Sequence, residues 1–143
     1  MSRLVIGIDP GVNTGFAVWC PQEKAFRTVC TVLIHEAMEQ ILATSRSDLL
    51  SHVVFEDARL RTWFGTKGRE ALQGAGSIKR DCTILSDFLG GHNIPFKGVS
   101  PLAKGAKVNA KRFNALTGWE GSTNEHGRDA GMLVFGASEM VPA

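Results

Sequence analysis

No apolar stretch of the sequence approaches the ~20 residues needed to span a bilayer. Met1-Ser2-Arg3 leads straight into a strand-like run with no signal-peptide cleavage pattern, so the expected setting is intracellular, in the cytoplasm and away from membranes. Cysteine is scarce. Cys20, Cys30 and Cys82 are odd in number, widely spaced and each within an apolar stretch, which argues against a disulfide framework and a zinc site and for small core residues. Tyrosine is absent, although that separates none of the functional readings below. Low-complexity tracts are missing too: 16 glycines are scattered through a chain with 43% hydrophobic and 21% charged residues, the profile of an ordinary globular protein. Net charge is small, +2, and does not by itself identify a nucleic-acid binder.

What is present is better organised than the totals suggest. The 143 residues suit one compact domain spanning 1–143. From Lys97 to Arg112 the chain carries Lys97, Lys104, Lys107, Lys111 and Arg112 and no acid, a local basic face. Leu4 to Asp9 is a β-branched, apolar run ended by Pro10-Gly11, which reads as a buried strand followed by a sharp turn. Gly15 to Cys20 and Phe26 to Leu33 read as two more strands, joined by the polar stretch 21–24 at hairpin length. Helical spacing follows from Ile34 to Ala43, then a fourth strand through His52-Val53-Val54-Phe55, ending at Glu56.

Ala71, Ala75, Ile78, Cys82, Leu85 and Leu89 recur at intervals of three and four, one face of a long helix expected from Gly68 to Leu89 and closed by Gly90-Gly91. Gly74 and Gly76 interrupt its first half, which predicts either a close approach of backbone or phosphate or a frayed helix start. A fifth strand is expected over Ile94–Val99, a helix over Ala106–Leu116 and a last helix over Asn124–Met140. The order βββαβαβαα predicts an α/β domain with a mixed five-stranded sheet covered on both faces.

Acids stand at strand ends, where open α/β sheets place ligands. Asp9 ends the first strand within Ile6-Gly7-Ile8-Asp9-Pro10-Gly11, and Glu56 ends the fourth, while Asp57 points to the opposite face. His126 and Asp129, three apart, share one face of the last helix. Singly, each has an ordinary reading: a turn cap, a salt-bridge partner, a surface residue. Together, three oxygen donors and an imidazole suit a divalent cation, and a pair of such ions serves phosphodiester hydrolysis. The segment 58–67, just after Glu56, carries Arg59, Arg61 and Lys67 with Trp63 and Phe64, a combination suited to stacking on unpaired bases while tracking phosphates.

The stretches IGIDPG, VVFED and HGRDAGMLVFGA resemble, in order and approximate spacing, the RuvC-like Holliday junction resolvases of the ribonuclease-H-like superfamily, including phage-sized members. The resemblance runs from Leu4 to about Glu139. It implies an endonuclease that resolves four-way junctions with symmetric paired nicks, using two Mg²⁺ or Mn²⁺ ions held by Asp9, Glu56, His126 and Asp129. The first member of the helical pair is commonly Asp in that family and is His126 here, which shifts the expected preference toward Mn²⁺. The family's lysine-bearing segment resembles residues 100–107 in shorter form, leaving Lys104 and Lys107 as candidates for the scissile phosphate. The resemblance also implies a homodimer, with the long helix as interface, and branched DNA rather than a small molecule as substrate. Arg61, Trp63, Phe64, Lys67, Arg69, Lys79, Arg80, Lys104, Lys107, Lys111 and Arg112 are the expected DNA contacts.

Other readings compete. IGIDPGVNTG also resembles the phosphate loop of actin-like sugar kinases, but those need two such domains. A ribonuclease-H-like nuclease for RNA–DNA hybrids or other branched DNA would use identical metal chemistry. A non-catalytic DNA-binding module would not need the full acid set.

Overall fold

The computed structural model of the chain describes residues 3–60, 69–101 and 107–142, and the side chains of 69–75 lie outside that description. The expected DNA contacts Arg61, Trp63, Phe64, Lys67 and Lys104 fall outside the described residues, as does the side chain of Arg69.

Strands β1 (Leu4–Asp9), β2 (Thr14–Cys20) and β3 (Ala25–Val32) form an antiparallel meander. Helix α1 (Ile34–Arg46) then leads to β4 (Leu50–Glu56), which lies parallel to β1. A 3₁₀ turn at Ala58–Leu60 precedes α2 (Arg69–Gly91), followed by β5 (Phe96–Val99), α3 (Ala110–Thr117) and α4 (Glu125–Val134). The result is one mixed sheet ordered β3-β2-β1-β4-β5, with β1 at its centre and β4 beside it.

Alternation along the strands assigns the two faces. Ile6, Ile8, Phe16, Val18, Val53 and Phe55 pack with Ala37 and Ile41 of α1 and Cys82, Leu85 and Leu89 of α2. Val5, Ala17, Trp19 and Val54 point the other way, against Phe113 of α3 and Ala130 and Val134 of α4. Trp19, Phe26, Phe113 and Phe135 stack around that second core, the Trp19 and Phe26 rings 4.9 Å apart. The cysteines follow expectation in part: Cys20 and Cys82 are buried and Cys30 is half-buried.

Several boundaries differ from those expected. Helix α4 stops at Val134 rather than Met140, because Phe135 turns to ψ 123° and Gly136 takes φ 78°, a left-handed conformation. Helix α3 starts at Ala110, where Asn109 caps it by accepting from the Arg112 amide. Helix α1 continues past Ala43 to Arg46, the Thr44 hydroxyl folding back onto the Gln40 carbonyl at 2.8 Å. Helix α2 runs through Gly90 and Gly91, and it is Asn93, at φ 56°, that reverses the chain. Among the described residues nothing lies within 4 Å of a Cβ built at Gly76, and the surroundings of Gly74 fall outside the description. Strand β5 begins at Phe96 instead of Ile94, while β4 begins earlier than expected, at Leu50. Among the described residues, no helix is long and apolar enough to cross a membrane.

Candidate active-site cleft

Parallel pairing of β1 with β4 brings their C-terminal ends side by side, so Asp9 and Glu56 are delivered to one edge of the sheet by backbone register alone. Asp9 shares its face of the sheet with Val5, which is the face covered by α4. A turn then reverses the chain into β2, closed by the Thr14 hydroxyl donating to the Gly11 carbonyl at 2.9 Å.

Helix α4 crosses these ends unusually closely. A Cβ on Gly7 would lie 2.3 Å from the Ala130 carbonyl oxygen, and one on Gly15 would lie 1.9 Å from that of His126. Only glycine on β1 and β2 lets the helix backbone settle onto the sheet at this depth. The start of the helix is fixed by Asn124, whose Oδ1 accepts from the Gly127 amide at 2.9 Å and from the Thr31 hydroxyl of β3 at 2.6 Å. Those contacts set the rotation of α4, and with it where His126 and Asp129 project.

Asp9, Glu56, His126 and Asp129 together line one cleft of about 690 Å³, with Lys107, Ser77 and Asp81 among its other walls. His126 Nδ1 stands 3.5 Å from Asp9 Oδ2. Asp129 is buried, and Lys107 Nζ lies 3.8 Å from its Oδ2 while ion-pairing with Glu125. That pairing, with the charges of Asp129 and Asp9, holds the Lys107 ammonium above its ordinary value, and Lys107 in turn holds Glu125 below the usual carboxylate range.

The donors are chemically right for a hard divalent cation: three carboxylates and one imidazole from three separate elements. They are not drawn into a tight ligand sphere, since no group of three or more His, Cys, Asp and Glu among the described residues is close enough to hold an ion. The residues suit such an ion by donor type and by their shared cleft.

Asp57 turns away from the cleft, as alternation predicts. It is buried and receives a two-pronged contact from Arg59, at 2.9 and 2.8 Å. Burial pushes its carboxyl up, but the Arg59 side chain, backbone amide and charge outweigh that and leave it below its ordinary value. Of the other expected DNA contacts, Arg80, Lys111 and Arg112 are exposed and Lys79 is half-buried, none of them among the cleft-lining residues.

Three participants escape the sequence reading. Ser77 and Asp81 enter the wall because α2 packs its Cys82 against the end of β4, the thiol donating to the Glu56 carbonyl at 3.6 Å. Arg128 is the third. Its Nε donates to the Val108 carbonyl at 2.8 Å and a terminal nitrogen donates to the Thr123 carbonyl at 3.0 Å, tying the strand of chain beside Lys107 to the start of α4. No periodicity announces an arginine used this way. A larger groove of about 960 Å³ lies at the opposite end of the strands, around Trp19, Leu116 and Phe135, with Lys24 and Glu139 as its charged lining among the described residues.

The sequence matches no family model and no curated protein. The fold does have a solved counterpart: RuvC of T. thermophilus, in complex with a Holliday junction substrate, is similar with a TM-score of 0.59, over 94% of this chain and 91% of that chain, at 15% sequence identity. At that identity the likeness is one of fold, and the mixed sheet with helices on both faces is ribonuclease-H-like.

Proposed function

We propose that the chain is a metal-dependent endonuclease of one domain that cuts branched DNA, four-way junctions foremost, by phosphodiester hydrolysis. The observation that carries this reading is the meeting of Asp9, Glu56, His126 and Asp129 in one cleft at the sheet's strand ends. The likeness in fold to a resolvase bound to its junction supports the substrate class.

In this reading Asp9, Glu56, Asp129 and His126 would hold two divalent cations, Mg²⁺ or Mn²⁺, which would supply charge neutralisation and water activation at the phosphate. Asp9 and Glu56, fixed on adjacent strand ends, set the spacing of the site. His126 and Asp129 close it from above, and Asp9 orients the His126 ring through the Nδ1 side. Lys107 offers its ammonium to a phosphate oxygen, a point charge on a flexible stem. Two copies related by a two-fold axis would present two such clefts for paired nicks, and the exposed Ile84 of α2 is a candidate contact between them.

The test is cleavage of a four-way junction, a linear duplex and an RNA–DNA hybrid in Mg²⁺ and in Mn²⁺. The junction is cut by symmetric nicks, faster in Mn²⁺ because the His126 nitrogen suits it better, and His126→Asp moves the preference toward Mg²⁺. Asp9→Asn lowers cleavage by at least about a hundredfold, the scale of losing one well-placed electrostatic group, and leaves junction binding in place. Preferential cutting of the hybrid would redirect the substrate assignment, and undiminished cleavage by Asp9→Asn would remove the metal site.

A further inference from the structure

Helices α3 and α4 both begin at the cleft, and one side chain holds both beginnings. Asn109 caps α3 by accepting from the Arg112 amide at 2.8 Å, and Asn124 caps α4 by accepting from the Gly127 amide at 2.9 Å. The residue before each cap gives its carbonyl to Arg128. Arg128 Nε donates to the Val108 carbonyl at 2.8 Å, and a terminal nitrogen donates to the Thr123 carbonyl at 3.0 Å and to the Thr123 hydroxyl at 3.1 Å. An arginine in the first turn of α4 stands at the positive end of the helix dipole, where a cation is disfavoured, so these acceptors and not the helix account for its place. The planar guanidinium suits the task, because it presents its donors in a fixed fork that a lysine ammonium lacks.

The two helix starts carry different parts of the candidate site. Lys107, just ahead of the Asn109 cap, lines the cleft, as do His126 and Asp129 of α4. Helix α4 has its own seat on the sheet, fixed by the close approach at Gly7 and Gly15 and by the Thr31 hydroxyl on Asn124. The segment bearing Lys107 is tied to that seat through Arg128. Glu125 also pairs with the Lys107 ammonium, but an exposed ion pair contributes little, whereas hydrogen bonds from a half-buried guanidinium to backbone carbonyls are charge-assisted and stronger. We propose that Arg128 is a positioning residue for Lys107: it holds the Val108 carbonyl so that the lysine enters the cleft at a fixed place relative to His126 and Asp129. The inference rests on the nuclease reading above, in which Lys107 meets a phosphate oxygen. Arg128 acts through that lysine and not on the phosphate.

The experiment compares wild type, Arg128→Ala, Arg128→Lys, Lys107→Met and the Arg128→Ala, Lys107→Met double variant, each shown by circular dichroism to be folded at the assay temperature. Should Arg128→Ala not fold, Arg128→Lys takes its place in every comparison. Amide hydrogen exchange, without DNA or divalent cation, reads the clamp directly. Arg128→Ala speeds exchange of the Arg112 amide, the α3 cap donor, by about tenfold or more, the scale of losing a hydrogen bond to a charged group, while β1 and β2 keep wild-type protection. Single-turnover cleavage of a four-way junction in Mn²⁺ then reads the consequence. Arg128→Ala cleaves about a hundredfold more slowly, as a misplaced group does, and keeps junction binding in EDTA within about threefold, because its donors are spent inside the protein and not on phosphates. Arg128→Lys keeps the charge without the fork and stays at least about tenfold below wild type. The double variant cleaves no more slowly than Lys107→Met. Losses that multiply in the double variant overturn the proposal, since Arg128 then acts elsewhere than through Lys107, and so does full activity in Arg128→Lys or in Lys107→Met. If wild type cuts no DNA the nuclease reading fails and exchange alone decides the clamp, whereas cleavage by wild type with an unaltered Arg112 amide in Arg128→Ala sinks the clamp and leaves the nuclease.

Discussion

At the residue scale, Cys82 shows how the packing behind the cleft is sealed. Its thiol is fully buried between α2 and β4, and burial pushes its pKa up to about 11, with smaller opposing contributions from the Ala58 backbone and Arg59. Cys30, half-buried, is also raised, by burial first and then by Glu36. The thiolate is the reactive form, so a thiol held neutral in the core is inert. Native protein at pH 8 should therefore leave Cys82 unmodified by a disulfide reagent over the time in which denatured protein is fully labelled. Rapid stoichiometric labelling of Cys82 in the native state would mean that α2 opens away from Glu56.

At the scale of elements, the cleft depends on how deeply α4 seats on β1 and β2. Gly15→Ala puts a methyl against the His126 carbonyl, a backbone atom that cannot rotate away, so the helix must lift. The expected cost is about 1–3 kcal/mol of stability, as for overpacked cores. Cleavage should fall further than stability implies, by about a hundredfold, because a displacement of roughly an ångström at His126 and Asp129 misplaces half of the site. Gly76→Ala on α2 is the contrast, since its added methyl meets nothing within 4 Å and helix propensity favours alanine by up to ~1 kcal/mol. Urea unfolding and single-turnover cleavage of both variants check the pair: one loses both properties, the other gains stability and keeps activity. Equal activity in Gly15→Ala and wild type would show that the seat of α4 does not set the site.

For the whole molecule, the acid limb of stability has an identifiable contributor. His52 is 1% exposed in β4, and burial lowers its pKa. The Ser51 hydroxyl lies 2.8 Å from its Nδ1 and donates to the Glu139 carbonyl, so the ring serves best as a neutral donor through Nδ1. The unfolded imidazole takes up a proton below about 6.5 while the folded one resists. The unfolded state then binds more protons, so stability is whole above about pH 6.5 and declines as pH falls from there toward the lowered folded value. Melting temperatures measured from pH 8 to pH 5 should drop in wild type and drop less in His52→Gln, compared as slopes and not as absolute values. Parallel slopes would assign the acid limb to other groups.

Much of this architecture is legible in the chain itself. The run Leu4–Asp9 reads as a buried strand from its β-branched, apolar composition, whereas the assignment of Ile6 and Ile8 to one core and Val5 to the other comes from the packing of the helices on the two faces. Pro10-Gly11 after Asp9, and the apolar run before Glu56, marked two strand ends as places for acids. The three-residue spacing of His126 and Asp129 set them on one helix face. Helix ends were less legible, since α4 stops at Val134 through the backbone geometry of Phe135 and Gly136, within a run whose apolar pattern continues. The rest was decided only in three dimensions. That glycines 7 and 15 admit α4, that Asp81 turns into the cleft and that Arg128 reaches Val108 all depend on contacts between segments remote in sequence. Local periodicity reports which face a residue shows. It carries no record of which distant backbone that face will meet, because that choice is made by close packing of the whole core.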